Sequence, residues 1–276
     1  MRHINKVAKH LYLKRVSLGE LSFPGRDLAH ENVPPTPTTF FNYRAASSPL
    51  PGSKPAWCEP NHGLAVRTPA LKQAKTARGH TEYRDTVVYH ESELEHRVST
   101  VLQTYRGLAR LISQYPKVEY ADDDGVIHQH TFDYFIELDD GTRIAVAVKY
   151  ERKRTEMLDL LDRICASDIT GISKSGKRVP GIADGVALVT NTLATHEAFD
   201  NAYFLLSSRI QHDDTECVAL HDIVQKMPNT FRFGQLLTNC WPRAKRRTAI
   251  WRFLDLGILE PLAAGRIDEL SWLRAV

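Results

Sequence analysis

The chain has 276 residues, with 36 lysines and arginines against 33 acids and a net charge of only +3. That length buries a core without disulfide or metal staples and fits one large or two modest domains. The near balance of charge excludes a histone-like polycation, so any nucleic-acid surface must come from local clustering of basic residues.

Residues 1–80 read as an extended basic arm. Prolines fill Val33-Pro34-Pro35-Thr36-Pro37 and recur three times over residues 47–55; proline blocks helix and central strand alike. The arm is draped on the body, ordered by DNA or a partner, or disordered, and Phe40, Phe41, Trp57 and Leu64 favour docking. Cys58 and His62 make a C-x3-H fragment with no second half. The other cysteines, Cys165, Cys217 and Cys240, are scattered, which fits a reducing cytosol and no disulfide framework. No apolar run is long enough to span a bilayer and no signal peptide is visible, so a soluble, cytoplasmic protein is expected.

The body starts near Thr86 with a short strand, Val87-Val88-Tyr89. Ser92 stands three residues before Glu95, a capping box that opens a helix with Leu94, Val98, Val101, Leu102 and Tyr105 on its apolar stripe. Gly107 is its expected end. Residues 108–120 read as one irregular or edge strand because they contain Pro116, and Asp122-Asp123-Asp124-Gly125 as a turn. Two strands then follow, residues 132–138 and 143–150, joined by Asp139-Asp140-Gly141-Thr142, a strong hairpin signal. Residues 155–168 are helical, 171–185 a glycine- and lysine-rich loop, 186–189 an apolar strand and 195–207 a helix. This order gives a mixed sheet with helices on its faces, an α/β fold. From Thr215 short helices take over: one over 233–240, another after Pro242 closed by Gly257, then a brief strand at Ile258-Leu259-Glu260-Pro261. Helix, turn, helix and short β is a winged-helix pattern. The expected domains are the arm 1–80, a catalytic unit 81–212 and a C-terminal unit 213–276.

Three side chains stand out chemically. Strand alternation puts Asp133, Phe135 and Glu137 on one face and Ala145, Ala147 and Lys149 on one face. The turn brings Asp133 close to opposite Lys149, and Glu95 lies on the preceding helix. Hydrolysis of a phosphodiester needs carboxylates to hold Mg²⁺ and a lysine to position or polarise water. Each residue also has a plain alternative. Glu95 can be only the partner of Ser92, Asp133 a solvent-facing edge acid, and Lys149 a strand-end lysine reaching water. The basic runs Arg152-Lys153-Arg154 and Lys245-Arg246-Arg247 are candidate phosphate contacts, or simply solvated surface.

Ser92-Glu93-Leu94-Glu95, Gln114-Tyr115-Pro116, Phe132-Asp133-Tyr134, Val148-Lys149 and Val189-Thr190-Asn191 occur in an order that resembles the catalytic domain of TnsA. That is the endonuclease subunit of heteromeric Tn-seven-type transposases, with a PD-(D/E)xK restriction-endonuclease-like fold. The segment 247–260 is similar to the family's C-terminal winged-helix region. The resemblance implies Glu95 and Asp133 as catalytic metal-binding acids, the Val148 carbonyl as a further metal ligand and Lys149 as the catalytic lysine. It also implies Mg²⁺ (or Mn²⁺) as cofactor. The partners implied are double-stranded DNA, an integrase-like transposase and an AAA ATPase, in a prokaryotic cytosol. One departure stands out. The family carries Gln or Glu two residues before the lysine, and in this chain that position is Ala147. Glu137, Glu93 or Glu151 would have to supply the missing oxygen. The alternatives are a degenerate DNA-binding or assembly subunit, or a standalone restriction-like nuclease.

Overall fold

The computed structural model describes residues 65–66, 77–84, 86–173 and 175–276. Nearly all of the arm, including its proline stretches, its aromatic anchors and the Cys58–His62 fragment, lies outside the described residues. Among the described residues the chain is mixed α/β, with four sheets and five α-helices.

Strands β1 (Gly79–Tyr83) and β2 (Thr86–His90) form an antiparallel hairpin paired from Gly79↔His90 to Tyr83↔Thr86. The body therefore begins one strand before Thr86. β1 alternates half-buried with exposed residues but has too few apolar side chains to reveal the period. Helix α1 (Glu93–Gln103) starts at Ser92, whose Oγ accepts from the Glu95 amide at 3.2 Å. It stops at Thr104 rather than Gly107, and the Gly107 carbonyl instead accepts from the Asp139 amide at 2.9 Å.

The single strand expected over 108–120 is two strands, β3 (Leu108–Ser113) and β4 (Lys117–Ala121), in different sheets. Gln114, at φ +53°, turns the chain between them, and Pro116 has no amide to continue a ladder. The turn before β5 (Ile127–Thr131) uses Gly125 at φ +77°, a conformation glycine adopts without a Cβ penalty. Next come β6 (Tyr134–Leu138) and β7 (Arg143–Val148), the antiparallel hairpin that Asp-Gly announced. Helix α2 (Arg154–Ala166) follows, and the loop after it holds the short strands β8 (Gly171–Ile172) and β9 (Arg178–Val179). Strand β10 (Gly185–Val189) then returns parallel to β7, and α3 (His196–Gln211) is capped by the Thr195 hydroxyl.

The central sheet has the order β10-β7-β6-β3 and is covered on both faces. Tyr134, Ile136, Leu138, Val146 and Val148 form one core with Leu94, Val98 and Leu102 of α1. Phe135, Ala145 and Ala147 form the other with Met157, Leu161 and Ile164 of α2. Each large side chain buried this way contributes about 1.5–3 kcal/mol, and a one-residue slip would exchange the two faces. That packing fixes where the ends of β6 and β7 fall.

The C-terminal part holds α4 (Asp214–Val224), β11 (Thr230–Arg232), a 3₁₀ turn at Phe233–Leu237 where a helix over 233–240 was expected, and α5 (Arg243–Leu256). Gly257, at φ +70°, ends α5, and β12 (Leu259–Pro261) and β13 (Trp272–Ala275) complete a three-stranded sheet of order β11-β13-β12. Its core includes Leu220, Phe231, Phe233, Ile250, Trp251 and Leu273. Between the two parts stands α3. Phe199 meets His96 of α1, and Phe204 stacks on Trp251 of α5 with ring centres 5.0 Å apart. Among the described residues no helix is long and apolar enough to cross a membrane.

Candidate metal and nucleic-acid site

Lys149 Nζ lies 3.9 Å from Asp133 Oδ2. The β6–β7 pairing ends at Tyr134↔Val146; extended by one residue, that register sets Asp133 opposite Ala147 and Lys149 at the diagonal, an offset a long side chain still spans. Asp133 is fixed in place: its Oδ2 accepts from the Val148 amide at 2.7 Å. On the other edge of β7 the Lys149 amide donates to the Val189 carbonyl at 3.1 Å. Backbone groups alternate sides along a strand, so Val148 turns its amide and carbonyl away from β10, toward the end of β6 where Asp133 stands.

Glu95 sits in the first turn of α1. Its main-chain carbonyl accepts from the hydroxyl of fully buried Tyr134 at 3.0 Å, a link between helix and sheet. Both carboxylate oxygens are engaged locally. Oε2 accepts from the Glu91 amide at 2.7 Å and Oε1 from the Ser92 hydroxyl at 2.9 Å. The capping interaction is real, but the carboxylate returns to Glu91, not to the amide of Ser92. Burial first, and then the neighbouring Asp133 carboxylate, push the Glu95 pKa up against those hydrogen bonds. An acid whose ionisation is opposed by burial and by a neighbouring carboxylate is in a setting a cation would relieve.

Among the described residues no three His, Cys, Asp or Glu side chains converge as a metal cluster. Ala147 is fully buried and offers no side-chain donor. Glu137 pairs with Arg143 at the turn end of the hairpin and binds Arg110 at 3.2 Å. Four residues of strand separate it from Asp133, roughly 13 Å, so it is too far away to share a metal ion with that carboxylate. Glu93 points to Arg97 and His196, at 3.9 and 3.6 Å. Glu151 is held by the Thr190 hydroxyl at 2.6 Å, which lowers its pKa. The donors that could meet a metal ion here are the Glu95 and Asp133 carboxylates and the Val148 carbonyl. Such a hard, sparse set fits Mg²⁺ or Mn²⁺, which keep several of their own waters.

His130, at the end of β5, has no counterpart among the residues that stand out in the sequence. Burial and then the Lys149 charge bring its pKa down to about 4, and its Nε2 is buried without a hydrogen-bond partner. Nothing in the alternation of Ile127-His128-Gln129-His130-Thr131 singles it out.

The two basic runs fare differently. Arg152, Lys153 and Arg154 are exposed in and beside the 3₁₀ turn Glu151–Lys153, close after Lys149. In the C-terminal run, Lys245 binds Asp213 at 2.7 Å and Arg247 pairs with Glu269. Arg246 is only 5% exposed, pairs with Glu216 and donates to the Leu236 carbonyl. Arg246 is therefore corrected from a phosphate contact to a residue of the C-terminal core, since its guanidinium is consumed inside the fold. No protein-family model matches this chain, and no curated protein matches it.

Proposed function

We propose that this protein is a divalent-metal-dependent DNA endonuclease with a restriction-endonuclease-like core and a winged-helix-like C-terminal unit. Its role is that of the TnsA-like subunit that nicks transposon ends beside an integrase-like transposase and an AAA ATPase. The observation that carries this reading is the convergence of Lys149 and Val148 on the Asp133 carboxylate, at 3.9 and 2.7 Å, with Glu95 close enough to feel its charge. Glu95, Asp133 and the Val148 carbonyl would hold the ion. When bound, the ion supplies stabilisation of the charge that develops on the attacked phosphate. The Lys149 ammonium orients the attacking water, and Asp133 holds that ammonium at the end of β7. Tyr134 keeps the first turn of α1, and so Glu95, against the sheet.

The test is nicking of supercoiled plasmid in Mg²⁺ or Mn²⁺. Asp133→Ala and Lys149→Ala should lose it by at least about a hundredfold, in the range expected when a catalytic group is removed. Unchanged nicking by either variant would remove the assignment.

A second reading is favoured by Ala147 and by the full engagement of Glu95 in its cap. It is a subunit that keeps the fold, binds DNA and does not cut. This reading requires DNA binding with no cleavage in either metal, and cleavage by pure wild-type protein overturns it.

A further inference from the structure

Just beyond Lys149 lies a shallow depression lined by Tyr150, Glu151, Arg152 and Asn191. Tyr150, two residues beyond β7, is 45% exposed. The Arg152 guanidinium carbon stands 5.8 Å from the Tyr150 ring centre, within reach of a cation–π contact. The floor is rigid. Asn191 Oδ1 accepts from the Glu151 amide at 2.8 Å, and Thr190 donates to the Glu151 carboxylate. Thr192 adds a longer contact to the same carboxylate, and Arg154 closes on its other oxygen at 3.4 Å. The Asn191 side-chain NH₂ remains a hydrogen-bond donor in the lining.

A flat π face, a planar cation and an amide donor form the combination that receives a nucleobase. The bases of a continuous duplex are stacked on one another and cannot lie on a side chain. We infer that Tyr150, Arg152 and Asn191 form a subsite for one unpaired nucleotide next to the scissile phosphate. The preferred substrate is then DNA with a flap, frayed end or unpaired base at the cut, rather than uninterrupted duplex. This inference rests on the nuclease reading for its meaning but not for its test.

The measurement is fluorescence anisotropy of labelled duplexes in Ca²⁺, where binding is read without cleavage. One duplex is fully paired, and its counterpart carries a single-stranded flap of a few nucleotides. Base–aromatic stacking is worth between about fivefold and about a hundredfold in affinity, so the flap duplex should bind tighter by a factor in that range. Tyr150→Ala should bring the ratio of the two affinities to about one, and Tyr150→Phe should keep it. Equal affinities in the wild type, no binding of either duplex, or a ratio that survives Tyr150→Ala would each overturn the subsite. A parallel incubation in Mg²⁺ and Mn²⁺ separates the two ideas. A flap preference in Ca²⁺ without cleavage in either metal leaves the subsite standing and defeats the nuclease. Cleavage without any preference does the reverse.

Discussion

Asp255 offers the sharpest stability test. Its side chain is 5% exposed and sits between two guanidinium groups. Arg209 Nε reaches both carboxylate oxygens at 3.1 Å and Nη2 reaches Oδ1 at 2.8 Å, while Arg252 Nη1 binds Oδ2 at 2.6 Å. Arg209 also donates to the last carbonyls of α1, Gln103 at 2.8 Å and Thr104 at 2.6 Å. One arginine thus ties the far end of the Glu95 helix to α5. Asp255→Ala would leave two largely buried cations without their counter-charge, a change that costs about 3–5 kcal/mol. For a chain of this size each kcal/mol moves the midpoint by about 2–4 °C, so the melting temperature should fall by roughly 10 °C. Circular dichroism melts supply the number, and amide hydrogen exchange at residues 103–105 should quicken in the variant. A double-mutant cycle with Arg209→Ala should show strong coupling, because the two residues share one interaction. A melting temperature within about 2 °C of wild type would refute the reasoning.

Acid should weaken the fold through His90. It is buried, its ring stacks on His96 with centres 4.3 Å apart, and burial, then the neighbouring histidines, lower its pKa to about 4. A depressed pKa means the folded state resists protonation. The stability it protects is present above the ordinary histidine range near 6.5 and is lost as pH falls toward 4. The melting temperature of His90→Gln should therefore depend less on pH across that window, and parallel curves would count against the assignment. The basic runs should separate by readout. Arg152→Ala should reduce the slope of log affinity for DNA against log salt by about one and leave the melting temperature within a few degrees. Arg246→Ala should lower the melting temperature by several degrees because it strands Glu216; a stable Arg246→Ala protein with a reduced salt slope would make Arg246 a phosphate contact after all.

The hairpin was legible because Asp139-Asp140-Gly141-Thr142 is a local signal, read without knowing anything about the rest of the chain. The same holds for Ser92, whose cap depends on one hydroxyl and one nearby amide. Less visible were features set by partners distant in sequence. β1 needs β2 to be a strand at all, and β13 needs both β11 and β12. Alternation placed Asp133 and Lys149 on one side but left their offset to the register, which only the paired backbone fixes. Arg246 carried the same signal as Arg152, a cation in a basic run. Glu216, 30 residues away, decides its fate.

Ala147 has a meaning beyond the oxygen it lacks. Its methyl group is wholly enclosed in the cluster formed with Met157, Leu161 and Ile164 of α2. Exchanging it for glutamine or glutamate would force a polar chain several atoms longer into filled space, with the strain of overpacking and the penalty of an unsatisfied polar group together. A single substitution thus cannot add a side-chain ligand at this position to the proposed site. The helix above would have to be recarved first, so coordination chemistry and helix packing must change together at that position.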